Sequence, residues 1–362
     1  MNYSIIDSLG IITAVLLLIF SAFAFTYKKG NVTSHRILSF FLLANALYII
    51  DFVLPAIIEV TGINLIWFGD IGTSFGFLFG PLLYLYTKSI TEKGFELSWS
   101  KLTHGFVFIL IFLSVIFKIN IPFIYRYSLF HLITTPYIIA CFIVIVRYRK
   151  NIKDYYSSID KLSLTWMLYV VVAFFVMWMV DFFTFVFIDL GVIGQNTESY
   201  LTFVSLLINF VFAILIFFKA LQHPEYFTGL TGEEKQNKYE HSRLTEKEKT
   251  EYLQKLESYF NNDKPYLNPE LTITDVALNL NVSVKYLSQV INETLGKNFY
   301  DFINSYRIEE AKRQLNENTD SKKTVLEILY ESGFNSKSAF NTAFKKQTGF
   351  TPTQFRKQVL IN

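Results

Sequence analysis

KTVLEILYESGFNSKSAFNTAFKKQTGFTP (Lys323–Pro352) decides how the C-terminal part of this chain folds. Thr324 stands where a helix cap is needed, with Glu327 three residues on at capping-box spacing. Ile328 and Leu329 follow as core positions, and Gly333-Phe334-Asn335 interrupt the helix as a turn. Ser336 caps a second helix, whose Phe340 and Phe344 fall one turn apart on the buried side. Lys337, Ser338, Asn341 and Lys345 are left on the outward face, with Ser336 at its start.

The same pattern occurs once before. In LTITDVALNLNVSVKYLSQVINETLG (Leu271–Gly296), Thr272 caps, Asp275 sits third, and Val276, Ala277 and Leu280 bury. Asn281-Val282 turn, and Ser283 caps a helix with Leu287, Val290 and Ile291 inward and Val284, Lys285, Ser288 and Gln289 outward. Gly296 ends it. Two short helices across a tight turn, the second with a polar outer face, form a helix-turn-helix. That motif lays its second helix in the major groove, with N-terminal side chains at base edges. Lys, Gln and Asn suit base edges, and Lys also suits phosphates. Between the two units the spacing predicts a helix over about 299–315, with Phe302, Ile303, Tyr306, Ile308, Ala311 and Leu315 as its apolar set. Such a helix spans roughly 25 Å, and neighbouring major-groove segments on one DNA face lie ~34 Å apart. From Ser332 to Asn362 the chain holds Lys337, Lys345, Lys346, Arg356 and Lys357 and no acidic residue. The overall net charge of +3 is too small to indicate nucleic acid, but phosphate contact is a matter of local basic clusters. Double-stranded DNA is the expected partner.

These residues resemble the C-terminal DNA-binding domain of AraC/XylS-type transcription regulators. The resemblance covers about 244–357, and GFNSKSAFNTAFKKQTGFTPTQFR (Gly333–Arg356) is its most specific part. Gly333-Phe334, Phe340, Phe344-Lys345-Lys346, Gly349, Pro352 and Arg356 carry it there. In the first half it rests on Leu271, Ala277, Ser283, Leu287, Gly296, Tyr306-Arg307 and Ala311. Leu329 stands where the family commonly has Ala, and Thr342 where a basic residue is frequent. The first departure bears on local packing, the second on one DNA contact. The whole chain is similar to the subgroup in which a multi-span membrane region precedes this domain, and FGPLLYLYTKS (Phe79–Ser89) is similar to its third span.

Upstream the chemistry changes. Apolar residues make up 52% of the chain, Phe counts 38 and Tyr 22, and the mean hydropathy is +0.33. Residues 1–228 hold 14 Lys/Arg and 12 Asp/Glu, while the shorter remainder holds 19 and 18. Seven apolar stretches, at 5–27, 37–58, 66–87, 103–121, 123–146, 164–188 and 199–219, each approach the ~20 residues of a membrane-crossing helix. A short break at Ile121-Pro122 separates the fourth from the fifth. Loops one, three and five carry eleven basic residues, among them Lys28, Lys29, Arg36, Lys93, Arg147, Arg149, Lys150 and Lys161. Loops two, four and six offer only Lys118 and Arg126. The positive-inside rule then puts the N-terminus outside and, after seven crossings, the C-terminal domain in the cytoplasm. Lys28-Lys29 follow the first apolar run instead of preceding it, which reverses the charge order of a signal peptide. The expected fold class is all-α: a seven-helix transmembrane bundle (1–222), a polar linker (223–244) and a soluble double helix-turn-helix domain (245–362, with units at 271–296 and 323–348). A multi-pass protein of the cell (inner) membrane follows, with membrane lipid around it.

Thr245 and Glu248 have capping-box spacing, and Tyr252, Leu253, Leu256, Tyr259 and Phe260 recur on one face of the helix they begin. That helix packs on its own DNA-binding domain or pairs with a second copy as a homodimer. Asp51, Asp70, Asp181 and Asp189 fall in the outer halves of the apolar segments. Intramembrane carboxylates are costly and usually face a bundle interior or a wet cavity. Asp51 and Asp181 are the candidates for contact with a signal ligand, favouring a cation or amine. The alternative for both is hydrogen bonding to neighbours such as Asn45 or Asn209, with Asp70 and Asp189 at the interface. His104 and His131 are packing residues or pH sensors. Cys141 is the one cysteine, so no internal disulfide and no cysteine-based metal site can form. The apolar half shows no His/Glu cluster at metal-ligand spacing, no phosphate-binding Gly loop and no Ser/His/Asp pattern. No cofactor and no enzymatic activity are expected. The pattern implies a membrane-bound one-component regulator; the alternative is a polytopic receptor or transporter with a protein-binding regulatory tail.

Overall fold

The computed structural model describes residues 5–28, 30–63, 71–92, 94–160, 162–192, 195–222, 244–317 and 323–359. Trp67, Asp70, Lys29, Lys93, Lys161 and nearly all of the expected linker lie outside them. The described residues are helical, with no strand beyond one antiparallel bridge between Tyr156 and Thr272. The chain forms two compact units: Met1–Val146 with Leu164–Glu233, and Arg147–Ser163 with Glu234–Asn362.

The first unit starts with α1 (Ile5–Thr26) and α2 (Val32–Thr61). Next, α3 (Ile71–Ser74) runs through a 3-10 turn (Phe75–Leu78) into α4 (Phe79–Thr91). Then α5 (Trp99–Leu102) leads by another 3-10 turn into α6 (Phe106–Ile116). α7 (Phe123–Tyr155), α8 (Thr165–Asp189) and α9 (Gln195–Gln222) complete the run. α1 packs along α2 and α9, α4 lies on α2, and α8 lies on α9. Asn31 explains the start of α2: its side-chain oxygen accepts from the Ser34 N–H (3.1 Å), while its amide donates to the Ser89 carbonyl (3.2 Å).

Among the described residues, five helices are long and apolar enough to cross a membrane: Ile5–Thr26, Val32–Glu59, Trp99–Ile116, Phe123–Tyr155 and Thr165–Ile188. Large apolar residues point outward along them, among them Ile12 and Ile19 on α1, Ile109 and Leu113 on α6, and Ile139 and Ile143 on α7. Helices apolar on the outside as well as the inside suggest a membrane region. The other two expected crossings are less regular. The third stretch is helical from Ile71 to Thr91 but is broken by the 3-10 turn around Gly76. The last carries a shorter apolar run, Tyr200–Leu215. Beyond that turn α4 packs closely: a Cβ on Gly80 would lie 3.0 Å from the Tyr137 ring.

The second unit is built from α10 (Glu246–Asp263), a 3-10 turn (Pro265–Leu267), α11 (Ile273–Leu280), α12 (Val284–Leu295), α13 (Phe299–Glu317), α14 (Val325–Glu331), α15 (Lys337–Thr348) and α16 (Pro352–Val359). It has two cores. Leu256, Phe260, Ile273, Val276, Leu287 and Ile291 fill the first, and Ile328, Leu329, Phe334, Phe340 and Phe344 the second. α13 serves both, giving Phe302 and Ile303 to one and Ile308, Ala311 and Leu315 to the other. Leu256 and Phe260 are fully buried, so α10 packs on its own domain.

Candidate functional site

The outward faces of α12 and α15 form the candidate nucleic-acid interface. Each helix is preceded by a short helix with a capping box. Thr272 accepts from the Asp275 N–H (3.2 Å) and its own N–H donates to Asp275 (2.8 Å); Thr324 and Glu327 repeat this at 3.2 and 2.6 Å. Asn281 makes the first turn at φ 55° and Gly333 the second at φ 88°. Ser283 accepts from the Tyr286 N–H (3.2 Å) and Ser336 from the Ala339 N–H (3.3 Å), so both recognition helices begin on a serine cap.

On α15 the outward set stands in solvent. Lys337, Ser338, Asn341 and Lys345 are exposed, and Ser336 is half-buried at the cap. Beneath them Phe340 and Phe344 anchor the helix, with Phe355 of α16 edge-on to Phe344 at 5.4 Å. On α12 Lys285 is exposed, while Ser288 and Gln289 are half-buried. Ser288 accepts from Asn292 (3.1 Å) and Gln289 donates to Glu293 (3.2 Å). Val284 is half-buried against the first core, so its outward character is only partial. Two of the C-terminal cations are already engaged: Lys346, itself exposed, pairs with Asp301 (3.0 Å), and Arg356 donates to the Lys323 carbonyl (2.7 Å). Arg356 thereby ties α16 to the segment ahead of α14, a contact that periodicity alone does not reveal. α10 braces α12 through Lys249, which pairs with Glu293 at 2.8 Å.

In the first unit the structure brings Asp51 and Asp181 to one cavity of about 1210 Å³. Tyr48 and Pro55 of α2, Thr73 of α3, Arg126, Tyr127 and Phe130 of α7, Thr184 and Phe185 of α8 and Thr202 of α9 also line it. Asp51 accepts from the Thr73 N–H (2.9 Å). That contact requires Gly72, where a Cβ would lie 2.3 Å from the Asp51 Cβ and 2.5 Å from the Leu47 carbonyl. Asp181 lies 3.4 Å from the His131 Nε2, and its backbone carbonyl accepts from the Tyr127 hydroxyl (2.9 Å). His131 is buried among the rings of Tyr127, Phe130, Trp178 and Phe182. Asn45 and Asn209 donate instead to carbonyls on their own helices, Phe41 and Ser205. Sequence reasoning pointed to the two carboxylates through their cost in an apolar segment. It took Arg126 for a loop cation and gave no sign of Tyr48, Tyr127 or Thr73, whose neighbours come from other helices.

Residues 276–358 match a family described as a helix-turn-helix domain. The C-terminal segment is an AraC-type helix-turn-helix domain. A protein of Pseudoalteromonas carrageenovora, an uncharacterized HTH-type transcriptional regulator in the cgkA 5'region, is 39% identical over 92 residues; the match covers 25% of this chain and 52% of that protein. An uncharacterized HTH-type transcriptional regulator of Staphylococcus aureus strain COL is 33% identical over 91 residues, 25% of this chain and 12% of its own. The chain thus spans about half the length of the first relative and an eighth of the second. A solved structure, of a protein of unknown function from Listeria innocua, is 27% identical, covers 29% of this chain and 95% of its own, and has a TM-score of 0.26.

Proposed function

We propose that the chain is a membrane-bound one-component transcription regulator. Its two recognition helices read double-stranded DNA, and a signal taken up in the first unit controls them. The observation that carries the DNA reading is the face of α15. Lys337, Asn341 and Lys345 are exposed, and among the described residues no hydrogen bond or ion pair holds them, on a helix-turn-helix whose relatives are transcription regulators. Side chains left outside the domain's own network can meet a ligand at little cost to the fold.

In this reading the first unit crosses the membrane seven times, with the N-terminus outside and the DNA reader in the cytoplasm. The charge asymmetry of the loops supports that topology. The cavity holding Asp51 and Asp181 receives the signal. Two carboxylates with aromatic walls and one guanidinium favour an organic cation or amine with an apolar body. No catalytic step is assigned to either unit.

The test is a footprint of the full chain in nanodiscs on DNA upstream of its own coding region, across a salt series. Protection should cover two adjacent major-groove segments. Lys337→Ala should weaken binding on all sequences and lower the salt slope by ~1, and Asn341→Ala should relax base preference. Sequence-blind binding with a salt slope alone would count against a specific reader. For the cavity, a hydrophobic amine such as phenethylamine should raise the melting temperature, and Asp51→Asn with Asp181→Asn should abolish the shift. An equal shift in the double variant would remove the cavity from the proposal.

A further inference from the structure

The second unit contains a stretch that does not come from the tail: Arg147–Ser163, the end of α7 and the loop after it. Three of its residues lie on the DNA reader. Tyr156 pairs antiparallel with Thr272, the cap of α11, and the Ser157 N–H donates to the Leu271 carbonyl (3.1 Å). The Ser158 hydroxyl donates to the Asn335 Oδ1 (2.9 Å), one residue ahead of the Ser336 cap of α15.

Between these two contacts sits Arg307 of the connecting helix, only 1% exposed. Its Nε donates to the Tyr266 carbonyl (2.7 Å) and its Nη2 to the Asn268 carbonyl (2.8 Å). The remaining bonds go to the loop: Nη1 to the Ser157 carbonyl (3.0 Å) and Nη2 to the Ser157 Oγ (3.1 Å). A buried guanidinium must have its donors matched, and here two of four acceptors come from one loop residue. Burial pushes the Arg307 pKa down to about 10. Tyr156–Ser158 therefore touch the first helix-turn-helix, the connecting helix and the turn of the second at once.

We infer that Tyr156–Ser158 is an intramolecular clamp. Seated, it holds the two recognition helices in one relation and so presets them for two adjacent groove segments; unseated, it leaves them joined by α13 and by the close approach of Gly333 to Tyr266 and Leu267. The inference rests on the DNA reading above and names how that reader is regulated. α7 supplies the chemical link to the signal. One continuous helix carries Arg126 and Tyr127 in its first turns and Ser157 two residues past its end.

The test uses the full chain in nanodiscs with Cys141→Ala, Ser158→Cys and Asn335→Cys. Mild oxidation should give a disulfide within one chain in the absence of DNA, and the locked protein should keep the two-segment footprint. A second variant, Ser157→Pro, deletes the N–H and displaces the acceptors of Arg307. Its Kd should rise roughly tenfold through lost preorganisation, with protection shrinking to one segment. Failure of the cysteine pair to join, or a Ser157→Pro chain with unchanged Kd and footprint, overturns the clamp. A chain that crosslinks but leaves no footprint in either redox state overturns the DNA reading instead, because crosslinking reports the seat without DNA.

Discussion

Gly333 lacks a side chain because the first half of the reader presses against it. It sits at φ 88°, and a Cβ there would lie 2.4 Å from the Tyr266 carbonyl and 2.9 Å from the Leu267 Cα. Gly333→Ala should therefore cost more than the ~1–3 kcal/mol typical of backbone strain alone, and should do so by parting the two cores. Urea unfolding of the full chain, followed by proteolysis within α14 and α15, would show it; unchanged protection would mean that the turn relaxes freely. Titratable residues give a second prediction. Hydrogen bonds hold three glutamates below their usual range: Glu310 through Arg313, and Glu248 and Glu327 through the backbone of their cap residues. A carboxylate depressed on folding contributes stability above its unfolded value of about 4.3 and loses it as pH falls through the folded value. The reader should thus loosen below about pH 4. Glu310→Gln should flatten that acid limb in a pH series of hydrogen exchange; an unchanged limb would mean other groups drive it.

At the scale of elements, α10 belongs to the reader. Leu256 is fully buried in the first core, and Lys249 ties the helix to Glu293 of α12. Leu256→Ala should cost about 2–5 kcal/mol and disorder α12, seen as lost protection of Leu287 and Ile291 amides. Protection that survived would make α10 an appendage. Most elements of the reader were legible in the sequence. The caps Thr272, Ser283, Thr324 and Ser336 and the buried sets they precede are local signals, written within one or two helical turns. The apolar helices were legible too, through length and composition. What escaped is non-local. Nothing in a periodic pattern distinguishes Lys345 from Lys346: both are exposed, but Lys346 pairs with Asp301 far back in the chain. Arg307 falls among apolar positions of α13, and its partners come from loops that carry no pattern. The third apolar stretch departs from a plain span at the 3-10 turn around Gly76, and the tight seat of Gly80 on the Tyr137 ring comes from another helix that carries no local signal. The cavity was half legible: cost marks a carboxylate in an apolar run, whereas tyrosines and threonines there are cheap and silent.

For the molecule as a whole, signal and DNA binding should separate by mutation. Gly72→Ala pushes α3 from Asp51 and should change the response to an amine while leaving unstimulated DNA affinity near its original value. A matching loss of both, measured on the same preparation, would argue that the substitution merely destabilises the chain. The discontinuous second unit also sets an order of events during synthesis. Ser157 and the arginine it meets are 150 residues apart. At about 5–20 residues per second, Ser157 leaves the ribosome roughly 8–30 s before its partner exists. In the proposed topology, the helices on either side of it enter the bilayer during that interval. Under the topology proposed above, the reader is completed only after its seat has been made and anchored through α7, so a newly made copy is never released to search for DNA: the chromosome has to come to it.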